Sequence, residues 1–236
     1  MPGIVTFSFD DGYLSHYEKA FPVFQEMGVP GCLCLMTSPG DLIPTLLPTE
    51  KALAMQDAGW EILCHSDTHL DMRHPVPEED AYREIVTSRK KLEGLGFRIR
   101  QYVMPMSACD PSILPLLRAH YDAAFCRYTN AGKLPVEELV IERPVDPFDL
   151  HRTCLSCRTF ESLTPYLDYV AQHDGWMVFY EHNIGAGRNA TPELLRQLLL
   201  YCREKEIRVM TASKALDTVM AADAAMSQTK KEEKQS

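Results

Sequence analysis

The chain has 236 residues, of which 45% are hydrophobic and 24% are charged, a composition typical of a globular protein. Its net charge of -9 argues against binding to nucleic acid or to anionic membrane surfaces, because both favour basic patches. No apolar run approaches the ~18 residues of a membrane span, and no signal peptide is visible. We therefore expect a cytoplasmic protein with reduced cysteines, unless a leader has been trimmed.

Predicted strands and helices alternate along the chain. Apolar runs predict strands at residues 4–9, 31–36, 60–64, 100–104, 123–126, 139–141, 176–180 and 207–210. Periodicity and capping predict helices at 15–27, 49–58, 77–95, 160–173, 191–204 and 212–225, with another after Asp110-Pro111. The alternation implies an α/β fold with a parallel sheet, and the strand count favours a (β/α) barrel of seven or eight strands.

The same patterns predict the domain organisation. Residues 1–226 are expected to form a single domain, since no interdomain linker or internal repeat interrupts them. Residues 227–236 are polar and charged, which predicts a disordered tail.

Two adjacent carboxylates follow the first predicted strand. Asp10 and Asp11 end the alternating run and precede Gly12. Because neighbouring side chains on a strand point to opposite faces, one acid could bind a metal while the other stays free as a base. The alternative is a helix N-cap followed by a turn glycine.

Two imidazoles follow the third predicted strand, in the run 65–69. His65 and His69 together with one carboxylate would form a catalytic metal set that leaves positions open for water. Zn²⁺ suits these ligands best, and Co²⁺, Ni²⁺ or Mn²⁺ could occupy the same set. A pair of surface histidines is the alternative, although the preceding apolar strand argues against it.

The candidate catalytic and metal-binding residues share one position relative to the strands. The two Asp residues, His65, Pro105 and His182 all come directly after predicted strands. In (β/α) barrels the active site lies at the C-terminal ends of the strands, so we expect these residues to meet in one site. For His182 a hydrogen-bonded core position is the alternative.

These motifs resemble those of the polysaccharide deacetylase family, the carbohydrate esterases with a NodB-type domain. The resemblance extends from about residue 4 to residue 216, and its motifs are Thr6-Phe7-Ser8-Phe9-Asp10-Asp11-Gly12, Gly59-Trp60-Glu61-Ile62, His65-Ser66-Asp67-Thr68-His69, Pro105, His182 and Met210-Thr211. The resemblance implies a distorted (β/α) barrel, a divalent metal and hydrolysis of N-acetyl groups on amino sugars.

The family also implies roles for individual residues. Its metal ligands correspond to Asp11, His65 and His69. Asp10 would then be the general base that activates water, and His182 the general acid that protonates the departing amine. A backbone N–H near Met106, after Pro105, would help to stabilise the oxyanion.

The sequence departs from the family at two motifs. Where many members have Arg-x-Pro-aromatic, this chain has Val103-Met104-Pro105-Met106, so another cation must hold Asp10, and Arg143 is the candidate. The Asp-Trp pair that supports the catalytic histidine is not plainly present. Its candidate substitutes are Asp146, Asp149 and the run Asp174-Gly175-Trp176.

Three functions follow from these observations. The first is a metal-dependent N-deacetylase of an N-acetylated amino sugar, oligosaccharide or polysaccharide. The second is the same metal barrel acting on a small cytosolic amide or formamide conjugate, which the missing aromatic favours. The third is a non-catalytic sugar-binding barrel, which the intact carboxylates and histidines argue against. A homo-oligomer is left open by the sequence.

Overall fold

The computed structural model describes residues 3–127, 135–141 and 143–233, and its nine strands pair in parallel. The strands are β1 (Ile4–Phe9), β2 (Cys32–Leu35), β3 (Glu61–Cys64), β4 (Ile99–Val103), β5 (Ala123–Arg127), β6 (Leu150–His151), β7 (Thr153–Cys154), β8 (Trp176–Glu181) and β9 (Arg208–Val209). The helices are α1 (Phe21–Met27), α2 (Thr49–Asp57), α3 (Glu78–Tyr82), α4 (Ser88–Gly94), α5 (Leu114–His120), α6 (Phe160–His173), α7 (Pro192–Glu204) and α8 (Ala212–Glu233). Within these ranges, no helix has the length and apolar character needed to cross a bilayer.

The strands form one sheet that nearly closes into a barrel. Their order is β6-β5-β4-β3-β2-β1-β8-β7, with β9 paired to the start of β1. The outermost strands of this order, β6 and β7, are separated in sequence by Arg152 alone. One short segment therefore pairs with β5 on one side and with β8 on the other, and so connects the two edges of the sheet. This arrangement confirms the distorted (β/α) barrel expected from the sequence.

Aromatic packing fixes the strand that carries the first motif. All six residues of β1 are buried. Phe7 and Phe9 contact the ring of Phe24 edge-on, with centroids 5.5 and 5.6 Å apart, and Phe9 stacks on Trp60 at 5.4 Å. Burial of each such side chain contributes about 1.5–3 kcal/mol. The core therefore fixes the carboxyl end of β1, and Asp10 is the residue that follows it.

Two predicted helices contain a π-helical turn that their sequences do not reveal. The helix predicted at 15–27 is π-helical over His16–Ala20 and continues as α1, with Pro22 in the first turn of α1. The helix predicted at 77–95 consists of α3 and α4 joined by a π turn over Arg83–Thr87. A π turn adds one residue to a helix, which changes the apolar periodicity too little to be detected.

The region before the closing segment differs from the prediction. Val136–Leu139 forms a 3₁₀ turn, and Ile141 makes a single antiparallel bridge to Trp176 in place of the strand predicted at 139–141. Neither β6 nor β7 was predicted, because each has only two residues and therefore no detectable alternation.

The last helix is longer than predicted. α8 begins at Ala212, as expected, and its backbone remains helical to Glu233, beyond the predicted end at residue 225. The expectation of disorder from residue 227 is therefore wrong for residues 227–233. Alanine, glutamine, lysine and glutamate all favour helices, and this propensity extends the helix into a segment that composition alone marks as polar.

Candidate functional site

The carboxyl ends of the strands surround a cavity of about 390 Å³. Its lining includes Asp10 after β1, His65 after β3, Arg152 between β6 and β7, and His182 after β8. Met106, in the 3₁₀ turn after β4, also lines the cavity, whereas Pro105 is buried and lies outside the lining. The barrel therefore brings the separate motifs to one face, as expected for this architecture.

Three side chains meet in a geometry suited to a metal ion. One ligand atom from each of Asp11, His65 and His69 lies within 4.8 Å of the others. Oδ1 of Asp11 is 3.4 Å from Nε2 of His65 and 3.7 Å from Nε2 of His69. These distances are too long for good hydrogen bonds but leave the three atoms facing one another. Two imidazoles and one carboxylate match the ligand set of catalytic zinc sites.

The surroundings of these side chains also suit metal binding. Nδ1 of His65 donates to the carbonyl of Val103 at 2.8 Å, which directs Nε2 towards Asp11. Burial and the adjacent His65 lower the pKa of His69, so its imidazole is held in the neutral form that binds metals. The buried Oδ1 of Asp11 accepts no hydrogen bond from any residue within the described ranges. The residues present therefore fit a divalent cation.

Unusual backbone conformations cluster at this site. Eight residues other than glycine have positive φ in the described part of the chain, and five of them belong to the site loops: Asp11, Ser66, His69, Met106 and Ser107. Such conformations cost about 1–3 kcal/mol each and persist only where the surrounding structure enforces them. The loops that carry the candidate metal ligands are thus held in a strained geometry by their neighbours.

Asp10 forms a buried ion pair with Arg152. Nη1 of Arg152 lies 2.7 Å from Oδ1 of Asp10 and 3.2 Å from the hydroxyl of Ser8, and the guanidinium lies 4.5 Å from the centroid of the Tyr180 ring. Burial favours protonation of Asp10, but the charge and hydrogen bond of Arg152 outweigh it, assisted by His65, and hold the pKa of Asp10 well below its usual range. Asp10 is therefore a fixed carboxylate beside the candidate metal-binding side chains.

The prediction that Arg143 holds Asp10 is wrong. Nε of Arg143 lies 3.8 Å from Oδ1 of Asp223 in α8, and Arg152 occupies the place beside Asp10. Arg152 was missed because its role depends on closure of the barrel by β6 and β7. One signal was available in the sequence, namely a charged residue between the apolar Leu150 and Leu155.

His182 is supported by its own neighbour in sequence. Nδ1 of His182 lies 3.8 Å from Oε1 of Glu181, whose side chain is fully buried. The Glu181 carboxylate accepts hydrogen bonds from the hydroxyl of Ser156 and from the backbone N–H groups of His182 and Ala190. Burial lowers the pKa of His182, but Glu181, Asp10 and Asp11 outweigh that effect, and the net shift is upward. The protonated imidazole is therefore favoured.

The predicted substitutes for the supporting Asp-Trp pair lie elsewhere. Asp146 and Asp149 form exposed ion pairs with Arg118 and Arg127, and Trp176 donates its indole N–H to Thr6. Asp174 is the left-handed C-cap of α6. Glu181 was overlooked because it ends an otherwise apolar strand.

His16 is a second residue that the sequence did not reveal. Its Nε2 donates to the carbonyl of His182 at 2.9 Å, and burial lowers its pKa to about 4, so the ring stays neutral. The imidazole of His16 therefore anchors the backbone of the loop that presents His182.

The chain matches a known protein family over its first half. The model of that family, described as "Polysaccharide deacetylase", matches residues 2–122, just over half of the chain. This range includes β1 to β4 and all three candidate metal ligands. No curated protein sequence matches the chain.

Solved structures with a similar fold cover most of the chain at low sequence identity. The peptidoglycan deacetylase PdaC from Bacillus subtilis, as the mutant D285S, is 13% identical, with a TM-score of 0.64, over 98% of this chain and 97% of that one. A family 4 carbohydrate esterase from Bacillus anthracis is 16% identical, with a TM-score of 0.60, over 92% and 83% of the two chains.

A third similar structure is a family 4 pseudoenzyme from Bacillus anthracis. It is 12% identical, with a TM-score of 0.62, over 90% of this chain and 65% of that one. At these identities the structural likeness establishes the fold, and a fold shared with a pseudoenzyme does not by itself establish activity. The family match, together with the barrel and the arrangement of its motifs, shows that this chain belongs to the polysaccharide deacetylase family.

Proposed function

We propose that the protein is a metal-dependent hydrolase that removes N-acetyl groups from an N-acetylated amino sugar, oligosaccharide or polysaccharide. The observation that carries this proposal is the convergence of Asp11, His65 and His69 beside a second carboxylate, Asp10, that Arg152 holds ionised. A sugar-binding module has no need of a free carboxylate beside three metal-binding side chains. The combination is therefore better suited to hydrolysis than to binding.

The three ligand side chains would hold the metal, with Zn²⁺ the most suitable ion. When bound, Zn²⁺ lowers the pKa of a coordinated water to about 7 and polarises a carbonyl group. Nε2 of both histidines faces Oδ1 of Asp11, so the three ligand atoms are directed towards one another.

Asp10 and His182 would move the protons of the reaction. Asp10 is the proposed general base that accepts a proton from the attacking water, and its hydrogen bond to Arg152 fixes the direction of the carboxylate. His182, whose pKa is raised, is the proposed general acid that protonates the leaving amine nitrogen. A backbone N–H near Met106 remains the proposed donor to the oxyanion.

A second candidate function is hydrolysis of a small amide or formamide conjugate. The cavity is lined by Met104, Met106 and Ala108. In the Arg-x-Pro-aromatic motif of many family members, the residue at the position of Met106 is aromatic and would offer a sugar ring a stacking surface. Methionine side chains adapt to varied apolar groups and do not select for a pyranose ring. This wall is the specific reason to include small amides among the substrates tested.

Release of the acid product, acetate from acetamides or formate from formamides, tests the proposed function. The purified protein is incubated with N-acetylglucosamine, chito-oligomers, peptidoglycan fragments and small acetamides and formamides, in metal-loaded and chelated form. Metal-dependent acetate release from the amino sugars is expected. Release from the small amides alone would favour the second function, and no metal-dependent release from any substrate would contradict both.

Loss of Arg152 is expected to destabilise the fold. In R152M the carboxylate of Asp10 stays buried without its cation, and breaking a buried pair in this way costs about 3–5 kcal/mol. Urea unfolding measures the change. R143M is the matched control, because Arg143 is partly exposed and lies 3.8 Å from its partner, so a much smaller loss is expected. Equal losses in the two variants would contradict a special role for Arg152.

The falling limb of the pH–rate profile is expected to depend on Glu181. His182 acts in its protonated form, so the rate should fall as the pH rises through its raised pKa. In E181Q the largest of the contributions that raise this pKa is lost, and the falling limb should move to lower pH. A profile of kcat against pH for both proteins measures the shift. A falling limb that does not move would show that Glu181 does not set the titration of His182.

A further inference from the structure

The loop between the two candidate histidine ligands is strained. Ser66 and His69 have φ angles of 72° and 63°, values that side chains other than glycine rarely adopt. The hydroxyl of Ser66 accepts a hydrogen bond from the N–H of His69 at 3.0 Å, so the loop folds back on itself. A conformation of this kind needs partners outside the loop.

Glu84, which lies outside the 65–69 loop, accepts hydrogen bonds from the residues in the middle of the loop. Its Oε2 accepts the N–H groups of Asp67 at 3.0 Å and of Thr68 at 2.8 Å, and its Oε1 accepts the hydroxyl of Thr68 at 2.7 Å. The carboxylate is fully buried, and Arg83 contributes its charge with Nη2 3.2 Å from Oε1. Hydrogen bonds to an ionised carboxylate are about twice as strong as those between neutral groups.

The π turn between α3 and α4 places Glu84 at this loop. Glu84 lies within the π-helical residues Arg83–Thr87. Its backbone carbonyl accepts hydrogen bonds from the hydroxyls of Ser88 and Tyr102, at 2.6 and 3.2 Å, which fix the backbone of the turn. Single π turns in α-helices are frequent at functional sites.

The side chain of Asp67 is engaged in a separate set of contacts. Its Oδ1 accepts hydrogen bonds from Lys91 and Ser38, both at 2.7 Å, and from Thr37. Asp67 thus ties the loop to neighbouring elements through its side chain, whereas Glu84 binds the loop backbone between the two histidines. Arg83 lies near both sets, with its Nε 4.0 Å from Oδ2 of Asp67 and its Nη2 3.2 Å from Oε1 of Glu84.

We propose that Glu84 is a positioning residue for metal binding, which holds the 65–69 loop so that His65 and His69 face Asp11. The inference rests on the proposed function, since it assumes that these three side chains bind a metal. Glu84 contacts none of the three side chains in the hydrogen bonds described and acts through the loop backbone. Its loss should therefore weaken metal binding without removing a ligand.

The variant E84Q tests this role. An amide has one oxygen acceptor where the carboxylate has two. If its NH₂ group takes the place of Oε2, it faces the backbone N–H groups of Asp67 and Thr68. If it takes the place of Oε1, it faces the Arg83 guanidinium. Titration of the metal-free protein with Co²⁺, followed by its absorption spectrum, gives both the Kd and the ligand geometry. We expect E84Q to bind Co²⁺ about 10- to 100-fold more weakly, with an altered spectrum.

A matched control is E61Q, at the other end of β3. Glu61 is also a largely buried carboxylate that accepts a backbone N–H and a hydroxyl, both from Ser213, but it does not contact the histidine loop. E61Q is expected to lower the Tm of the metal-free protein while leaving the Kd and spectrum of Co²⁺ at wild-type values. If E84Q does not fold, T68V, which removes one of the three hydrogen bonds from the 65–69 loop to the Glu84 carboxylate, should show a smaller weakening in the same direction.

The outcomes separate the inference from the proposed function. Wild-type Kd and spectrum in folded E84Q, or in T68V where E84Q is unfolded, would overturn the role of Glu84 and leave the proposed function intact. Equal weakening in E84Q and E61Q would also overturn it, because the effect would then reflect general stability. A wild-type protein that binds no Co²⁺ would overturn the proposed function and the inference together.

Discussion

H65A is expected to bind the metal at least about 100-fold more weakly than the wild-type protein. Loss of a residue that only supports a metal ligand lowers metal affinity by up to about 100-fold, and loss of a ligand itself should cost at least as much. His65 is buried, and its ring is oriented by the carbonyl of Val103. Its Nε2 is therefore the more rigidly placed of the two candidate metal-binding imidazole nitrogens. Alanine removes this ligand and leaves only Asp11 and His69. Isothermal titration of the metal-free variant with Zn²⁺ measures the loss.

H151A is the matched control for H65A. His151 is also a buried imidazole of the barrel, but it lies in β6 and does not belong to the candidate metal cluster. Its replacement should leave Zn²⁺ affinity unchanged even if the fold is less stable. Full metal occupancy in H65A, or equal losses in the two variants, would contradict the ligand assignment.

D10N is expected to retain the metal and to lose turnover by about 10²- to 10⁴-fold, the usual contribution of a general base. Asparagine has nearly the same shape as aspartate, and its carbonyl oxygen can still accept the hydrogen bond from Arg152. It has no carboxylate to accept a proton from water. The measurement is kcat for acetate release together with Zn²⁺ content in the same preparation.

The stability of D10N has to be measured alongside its activity. The substitution removes the carboxylate that pairs with the buried guanidinium of Arg152, which is costly, so partial unfolding could imitate a catalytic defect. R152M provides the comparison, since it breaks the same ion pair but keeps the carboxylate of Asp10. The account expects folded D10N to be less active than folded R152M, and the reverse order would remove Asp10 as the base.

The convergence of the candidate metal ligands could be predicted because they belong to loops that follow apolar strands. A run such as 5–9 or 60–64 predicts a buried strand, and the parallel barrel then brings the residues after the strands together. Asp11, His65 and His69 meet for this reason. Local sequence and a general property of the fold predict that these side chains meet, whereas the choice of Asp11 over Asp10 as the ligand follows from the resemblance to the family.

Arg152 could not be predicted in this way. It lies 142 residues from Asp10 in sequence, between two strands of only two residues each. Its position depends on a pairing that connects β5 to β8, and no local pattern encodes such a pairing. Arg143 was preferred for its sequence context beside Pro144, although its guanidinium pairs with α8.

The π turn that carries Glu84 was hidden for a different reason. The segment 77–95 has the apolar spacing of an ordinary helix, and one extra residue in a single turn barely changes that spacing. The fold class is therefore evident from the sequence, whereas the contacts that hold the site loops depend on the three-dimensional arrangement of the chain.

The most direct test of the account is titration of the metal-free enzyme with Zn²⁺ while acetate release and bound metal are measured together. We expect no activity without metal and a linear rise in activity that stops at one bound ion per chain, since one cluster of three ligands is found in the described residues. Turnover by the metal-free protein, or binding of one ion without any gain in activity on every substrate, would contradict the account.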